Sequence, residues 1–503
     1  MKLIVNAFLG KLNWGKRACT VFALCAATAV ALPAQTFTTL FSFDGADGEA
    51  PEEAALVQGT SGDLYGTTVL GGANSDSTVF KISPSGTLTS LYSFNNGTGG
   101  PTFPTALIQA ANGDFYGTTL AGGVYGYGSV FKITPGGTLT TLYSFCSQGG
   151  SNCTDGASPQ AGLVQATNGD LYGTTYIGGA SLLGSDGYGG TVFKITPGGT
   201  LTTLYSFCSQ GGSNCTDGDN PIAGLVQATN GDLYGTTQYG GANCVLEYGC
   251  GTVFKITLSG ALTTLYNFCS QSGCTDGENP YAGLVQATNG DLYGTVESGG
   301  TNGFGTVFKI TPGGTFTTIY RFCSLTNCAD GGVPFAGLVQ ATNGDLYGTT
   351  YMGGANYDGG TIFQITPSGT LTTIYSFCAQ GVFPNCPDGV GSSGLIQDTN
   401  GTLYGAAGGG TYGYGTIFSL SIGLGPFVET QTTAGKVGAH VKILGTDLTG
   451  ATSVSFNGTA AAFTVDSPSL ITTTVPSGAT TGKVEVVTPS GTLSTYVPYR
   501  VRP

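Results

Sequence analysis

The 503-residue chain is rich in glycine, with 88 Gly, and sparsely charged, with 28 Asp and Glu against 15 Lys and Arg. An acidic chain with so few bases is not expected to bind nucleic acid or an anionic membrane, because both repel it. Its single His, His440, excludes Ser-His-Asp and Cys-His catalysis from all but the C-terminal segment.

Residues 1–34 read as a secretory signal peptide. Lys2, Lys11, Lys16 and Arg17 precede an apolar run, Ala18 to Leu32, that is too short to span a bilayer, and small residues allow cleavage after Ala31 or Ala34. No membrane insertion is expected of the mature chain, which keeps 11 bases and 28 acids, a net charge of −17. It also keeps 12 of the 14 Cys, in close pairs: Cys146/Cys153, Cys208/Cys215, Cys244/Cys250, Cys269/Cys274, Cys323/Cys328 and Cys378/Cys386. Local pairs in an exported chain imply disulfides. Zinc is the competing reading, but it requires ligands from separate repeats to converge.

Residues 35–423 are a tandem repeat, and a long fixed period decides architecture before any local feature. Its Tyr marker recurs at Tyr65, Tyr116, Tyr172, Tyr234, Tyr293, Tyr347 and Tyr404. Each repeat holds four runs, of the types GLVQ, DLYGTT, VFKI and LTTLYSF. All are rich in β-branched and aromatic residues, which marks strands. Asn-Gly pairs such as Asn168-Gly169 join runs one and two, and suit a two-residue type I′ hairpin. Pro-Gly-Gly, as in Pro197-Gly198-Gly199, joins runs three and four. Four antiparallel strands repeated seven times predict an all-β, seven-bladed β-propeller. Thr36–Phe43 is a fourth run without the first three, and the last repeat, Leu395 to Leu420, lacks a fourth. The N-terminal strand is therefore expected to complete the last blade and close the ring. Residues 424–503 carry short alternating strands and predict a small β-sandwich.

The segment marked by Gly445, Phe456, Gly458, Val475-Pro476, Val484 and Thr488-Pro489 resembles the IPT/TIG immunoglobulin-like domains, which implies an accessory module. The repeat AGLVQATNGDLYGTT…GTVFKITPGGTLTTLYSF resembles the bacterial GloVer repeat of choice-of-anchor proteins. That resemblance implies an exported protein, often anchored at its C-terminus. Tyr499–Pro503 depart from it, being no apolar tail.

Four strands per blade send the loops after runs two and four to one face and the tight turns to the other. Function usually sits on such long loops. Tyr176, Tyr188, Tyr239, Tyr248, Tyr351 and Tyr357 stand in the longest inserts and are the candidate ligand-binding residues, since aromatics stack on sugars or dock proteins. The bland alternative is that they pack over the blade tops. Asp217-Gly-Asp219-Asn220 and Asp276-Gly-Glu278-Asn279 offer oxygens to calcium, but Asp-Gly is foremost a turn pair. The Gln of run one, from Gln58 to Gln397, is read as a buried amide bonded to the next blade. Asp76, Asp186, Glu247, Glu297 and Asp358 are the acids left for a carboxylate pair. The reading is a monomeric, non-catalytic binder or scaffold for a polysaccharide or surface protein, with no cofactor, metal or catalytic residue assigned. The alternative is a carbohydrate-active hydrolase or lyase.

Overall fold

The computed structural model describes residues 35–53, 55–95, 102–148, 152–180, 189–210, 212–243, 250–355, 359–381 and 385–503. The expected signal peptide, 1–34, lies outside them. Among the described residues the chain is all-β apart from short 3₁₀ turns, and no helix is long and apolar enough to cross a membrane.

Seven sheets share one antiparallel order, which gives a propeller-like architecture. In the third, Val164–Gln165, Leu171–Thr175, Thr191–Ile195 and Leu201–Ser206 pair in sequence. Run one is shorter than the sequence suggests, with only Val164 and Gln165 in the ladder. The Asn-Gly turn also differs from a two-residue type I′ turn. That type needs positive φ at both central residues, and here Gly169 has φ of 90° while Asn168 does not turn left-handed. The Gly169 N–H donates to Ala166 O at 2.8 Å and the Ala166 N–H to Asp170 O at 2.9 Å, so the turn is wider. Asn168 instead donates to the Tyr172 hydroxyl at 2.9 Å and accepts from the Asp170 N–H. Five other Asn serve their tyrosines in the same way. Each repeat Tyr is thus core, with its ring buried and its hydroxyl satisfied.

Neighbouring sheets are joined by polar and apolar contacts. The Gln Oε1 of one innermost strand accepts a backbone N–H from the preceding sheet's turn: Gln109 from Thr60, Gln165 from Ala111, Gln227 from Thr167, Gln286 from Thr229, Gln340 from Thr288 and Gln397 from Thr342. Between sheets seven and one the Thr399 N–H donates to Gln58 Oε1 at 3.1 Å, and Gln58 Nε2 donates to Thr399 Oγ1 at 2.9 Å. Apolar clusters also straddle sheet boundaries. One unites Leu56, Leu64 and Phe80 of the first sheet with Phe43, Tyr404, Ala406 and Ile417 of the seventh.

Thr36–Ser42 pairs antiparallel with Thr416–Ser421 as the outer strand of the seventh sheet. Its bulge falls between Thr39 and Phe41, matching the bulge between Thr141 and Tyr143 two repeats on. Phe37 stacks on Tyr375 of sheet six at 3.9 Å.

The C-terminal segment forms two four-stranded sheets, with Glu429–Thr430, His440–Leu444, Leu470–Thr474 and Phe463–Ser467 in one and Thr459–Ala461, Ser453–Phe456, Val484–Thr488 and Gly491–Ser494 in the other. They enclose one core that includes Val428, Ile443, Phe456, Ile471, Val486 and Tyr499. Tyr499 is buried, and Arg500–Arg502 pairs in parallel with Ala434–Lys436, so Tyr499–Arg502 is part of the fold.

Deleting Thr36–Phe43 from a chain starting at residue 35 should uncover the Thr416–Ser421 edge and the cluster under Phe43. The expected result is a lower melting temperature with aggregation, read by scanning calorimetry and light scattering. A truncated chain that melts like its parent would show that this pairing contributes nothing.

Candidate functional site

The two faces differ in chemistry. On the long-loop face, the loop before run one bridges to the loop after run two of the same sheet: Ala157 with Ile177, Asp219 with Tyr239, Glu278 with Ser298 and Gly332 with Met352. Five disulfides close loops there: Cys146–Cys153, Cys208–Cys215, Cys269–Cys274, Cys323–Cys328 and Cys378–Cys386. Cys250 is also disulfide-bonded, and its expected partner Cys244 lies outside the described residues. Sulfurs of Cys250, Cys269 and Cys274 meet the Glu278 carboxylate within 4.8 Å, so the convergence that zinc would require is met here. As disulfide sulfurs they offer no thiolate to zinc.

Each disulfide loop is pinned from below by the Asp of its Asp-Gly pair. Asp330 Oδ2 accepts the Tyr320 hydroxyl at 2.8 Å, the Ser324 N–H at 2.9 Å and the Ser324 hydroxyl at 2.8 Å, and Oδ1 takes the Leu325 N–H. Asp155, Asp217, Asp276 and Asp388 repeat the arrangement with Tyr143, Tyr205, Tyr266 and Tyr375. Burial pushes Asp330 up, but these donors outweigh it and hold the carboxyl below the usual range. Burial and the Asp330 carboxylate push Tyr320 up to about 12, against the lowering bond from Ser324. The Asp217 and Asp276 oxygens proposed for calcium are therefore spent on the loops. The anchor also holds the cysteines at positive φ, 59° at Cys208 and 43° at Cys215, a conformation non-Gly residues rarely adopt.

Of the six candidate tyrosines, Tyr188, Tyr248 and Tyr357 lie outside the described residues. Tyr176 and Tyr239 are half-buried, and Tyr351 is 56% exposed. Tyr351 lies over Gly391 of sheet seven, where any side chain would strike its ring. It also meets Phe335 edge-to-face at 5.5 Å, and Phe335 meets Tyr281 of sheet five at 5.2 Å. The sequence reading missed Tyr281 and Phe335. Their signal was the variable residue before Ala-Gly in the otherwise constant AGLVQ run, which is Gln160, Ile222, Tyr281 and Phe335 in successive repeats. Of the candidate acids, Asp186, Glu247 and Asp358 fall outside the described residues, and burial pushes the Glu297 carboxyl up. His440 lies exposed on a sandwich strand.

The tight-turn face is covered by the sandwich. Ser469 Oγ donates to Thr60 O at 2.9 Å, Lys442 Nζ to Ala111 O at 3.0 Å, Gln431 Nε2 to Gln109 Oε1 at 3.1 Å and the Phe427 N–H to Thr399 O at 2.9 Å. The Tyr496 hydroxyl meets that of Thr288 at 3.2 Å. Sheets one, two, five and seven are thereby tied to one module, and a cavity of about 170 Å³ remains against sheets six and seven.

The Gloeobacter/Verrucomicrobia repeat matches residues 16–246, 152–338 and 246–465. A search of the curated proteins gives no match. Among solved structures, a protein provisionally assigned as a 6-phosphogluconolactonase from Bacteroides uniformis is 15% identical, with a TM-score of 0.42, covering 64% of this chain and 84% of that one. A gluconolactonase of Xanthomonas campestris is 14% identical, with a TM-score of 0.37, covering 77% and 90%. A luciferin-regenerating enzyme is 10% identical, with a TM-score of 0.38, covering 78% and 98%. Likeness this distant bears on neither the chemistry nor the ligand of this chain.

Asp330→Ala should strand the Tyr320 hydroxyl and two loop N–H groups and cost about 1–3 kcal/mol, with faster proteolysis near Cys323–Cys328. The depressed carboxyl contributes above the ordinary aspartate range and is lost as pH falls through its lowered value. The difference between wild type and variant should therefore shrink in acid. Urea melts at neutral and acid pH check this, and equal midpoints at neutral pH would contradict the anchor.

Proposed function

Because this chain belongs to the Gloeobacter/Verrucomicrobia repeat family, with the repeat over most of its length, we propose that it is an exported, closed seven-bladed propeller that binds polysaccharide on its long-loop face without turnover. The observation that carries this reading is the docking of the C-terminal module on the opposite face. An IPT/TIG-type immunoglobulin-like sandwich seals the tight turns, so only the long loops stay open to a large ligand. Those loops differ most between repeats, in length, charge and aromatic content, and an asymmetric site needs difference.

Tyr351, Phe335 and Tyr281 form the focus of that site. They run edge-to-face across sheets five to seven and present apolar area with few rotatable bonds. Tyr176 and Tyr239 stand at the matching loops of sheets three and four. Export is supported by the five disulfides, which persist in oxidising compartments. Low charge and high glycine leave a surface suited to neutral, hydroxylated partners.

A glycan array with residues 35–503 tests the reading. Bound, unaltered polysaccharide is expected. The combined variant Tyr281→Ala, Phe335→Ala, Tyr351→Ala should bind at least about tenfold more weakly, while its melting temperature stays close to wild type. Release of shortened sugar would favour the hydrolase or lyase reading. Binding that survives the triple substitution would move the site elsewhere.

A further inference from the structure

One cluster of reactive side chains stands apart from the aromatic site. On the long-loop face of sheet four, the sulfurs of Cys250, Cys269 and Cys274 and the Glu278 carboxylate all lie within 4.8 Å of one another. Cys269 and Cys274 are bonded to each other, and Cys250 is bonded to another sulfur. Two disulfides therefore lie side by side, and they belong to different loops. Cys250 ends the insert before Thr252–Ile256, while Cys269 and Cys274 close the loop after Leu262–Asn267. Cys250 is buried, and Cys269 and Cys274 pack against the same apolar cluster.

The backbone puts Cys250 there. Its N–H donates to Gly240 O at 3.3 Å, and its carbonyl accepts the Asn279 N–H at 3.0 Å, which holds it between sheets four and five. The residue at this place is Tyr127, Gly189, Phe304 and Gly359 in sheets two, three, five and six. A side chain added at Gly359 would bring its Cβ to 3.2 Å from the Cβ of Cys378, the first cysteine of the loop disulfide of sheet six. The slot thus faces the loop disulfide, and sheet four alone fills it with a third cysteine.

We propose that Cys250, Cys269 and Cys274 form a thiol–disulfide exchange site, in which three sulfurs share one bond and Glu278 moves the proton. In such exchange a thiolate attacks a disulfide sulfur that it can reach. An external dithiol starts the sequence. It gives two electrons to the Cys250 disulfide, closes to its own disulfide, and leaves Cys250 and its former partner as thiols. The Cys250 thiol then hands its proton to Glu278 and attacks Cys269 or Cys274. One S–S bond forms and one breaks, so no electrons are gained or lost in this step, and the displaced sulfur takes the proton back. The Glu278 carboxylate is placed for that transfer, with its Oε2 3.5 Å from the Cys269 sulfur. The new bond ties the base of the insert to the loop that leads into sheet five. Reduction of the insert thus moves its crosslink, and the long-loop face changes shape while sheets four and five stay joined. This redox response is independent of what the face binds.

Cys244→Ser in residues 35–503 removes the sulfur expected to hold Cys250 and tests the site without a reductant. Labelling with iodoacetamide, followed by non-reducing peptide mapping, should find label on Cys250, Cys269 and Cys274, together with Cys250–Cys269 or Cys250–Cys274 bridges. Adding Glu278→Gln should slow the spread of label from Cys250 to the other two at least about tenfold, and an equal rate would remove Glu278 from the site. Adding Cys250→Ser should abolish label at Cys269 and Cys274. One equivalent of dithiothreitol should produce the same bridges in the unsubstituted chain, so the result does not depend on how the variant folds. Label confined to Cys250, or dithiothreitol-treated chain with neither bridge, would overturn the proposal. So would label at Cys269 and Cys274 that persists without Cys250.

Discussion

The side-chain amide of one glutamine per repeat governs this structure. An innermost strand of two residues makes too few ladder bonds to hold its neighbours. The Gln beside it reaches into the preceding sheet and satisfies a turn N–H that would otherwise be orphaned. Its Nε2 donates back to its own turn's glycine carbonyl, as Gln227 does to Gly231 O at 2.9 Å. One residue thus fixes the turn and docks the sheet, and the operation repeats from sheet to sheet until Gln58 receives the Thr399 N–H. Apolar clusters supply the bulk of the attraction but are non-directional; the amides fix how each sheet seats against the turn of the one before it.

The same device separates the faces. Turns that must present one N–H to the next Gln, and one Asn to their own Tyr, have little freedom to vary. Their uniformity makes a flat, polar platform, and the sandwich seats on it through scattered hydroxyl, amide and ammonium contacts. The opposite loops carry no such duty. Disulfides and buried Asp anchors order their bases, and the aromatic and charged residues above are free to differ from repeat to repeat.

Much of this was legible in the sequence, for physical reasons. A polar Gln recurring within an apolar run must be paired, so its role could be inferred before its partner was visible. An outer-strand motif at Thr36–Phe43 had to find a sheet lacking one. The turn type was misjudged because Asn-Gly was read for φ alone, whereas Asn168 is held by the Tyr172 hydroxyl and the Asp170 N–H. Run one was overestimated because its apolar residues pack between sheets rather than extend a ladder. In the candidate site, Tyr351 could be named, but Tyr281 and Phe335 hid in a strand-like motif. The docking of the sandwich had no periodic signal at all: Ser469, Lys442 and Gln431 are single residues on unrelated strands.

Hydrogen exchange at the Thr399 N–H tests most directly whether the sheets close on themselves. If Gln58 holds it, this amide should exchange as slowly as its counterparts at Ala111, Thr167, Thr229, Thr288 and Thr342, and Gln58→Ala should speed Thr399 while leaving those five protected. Exchange at Thr399 as fast as an open turn in the unmodified chain, with the other five slow, would mean that the array does not close.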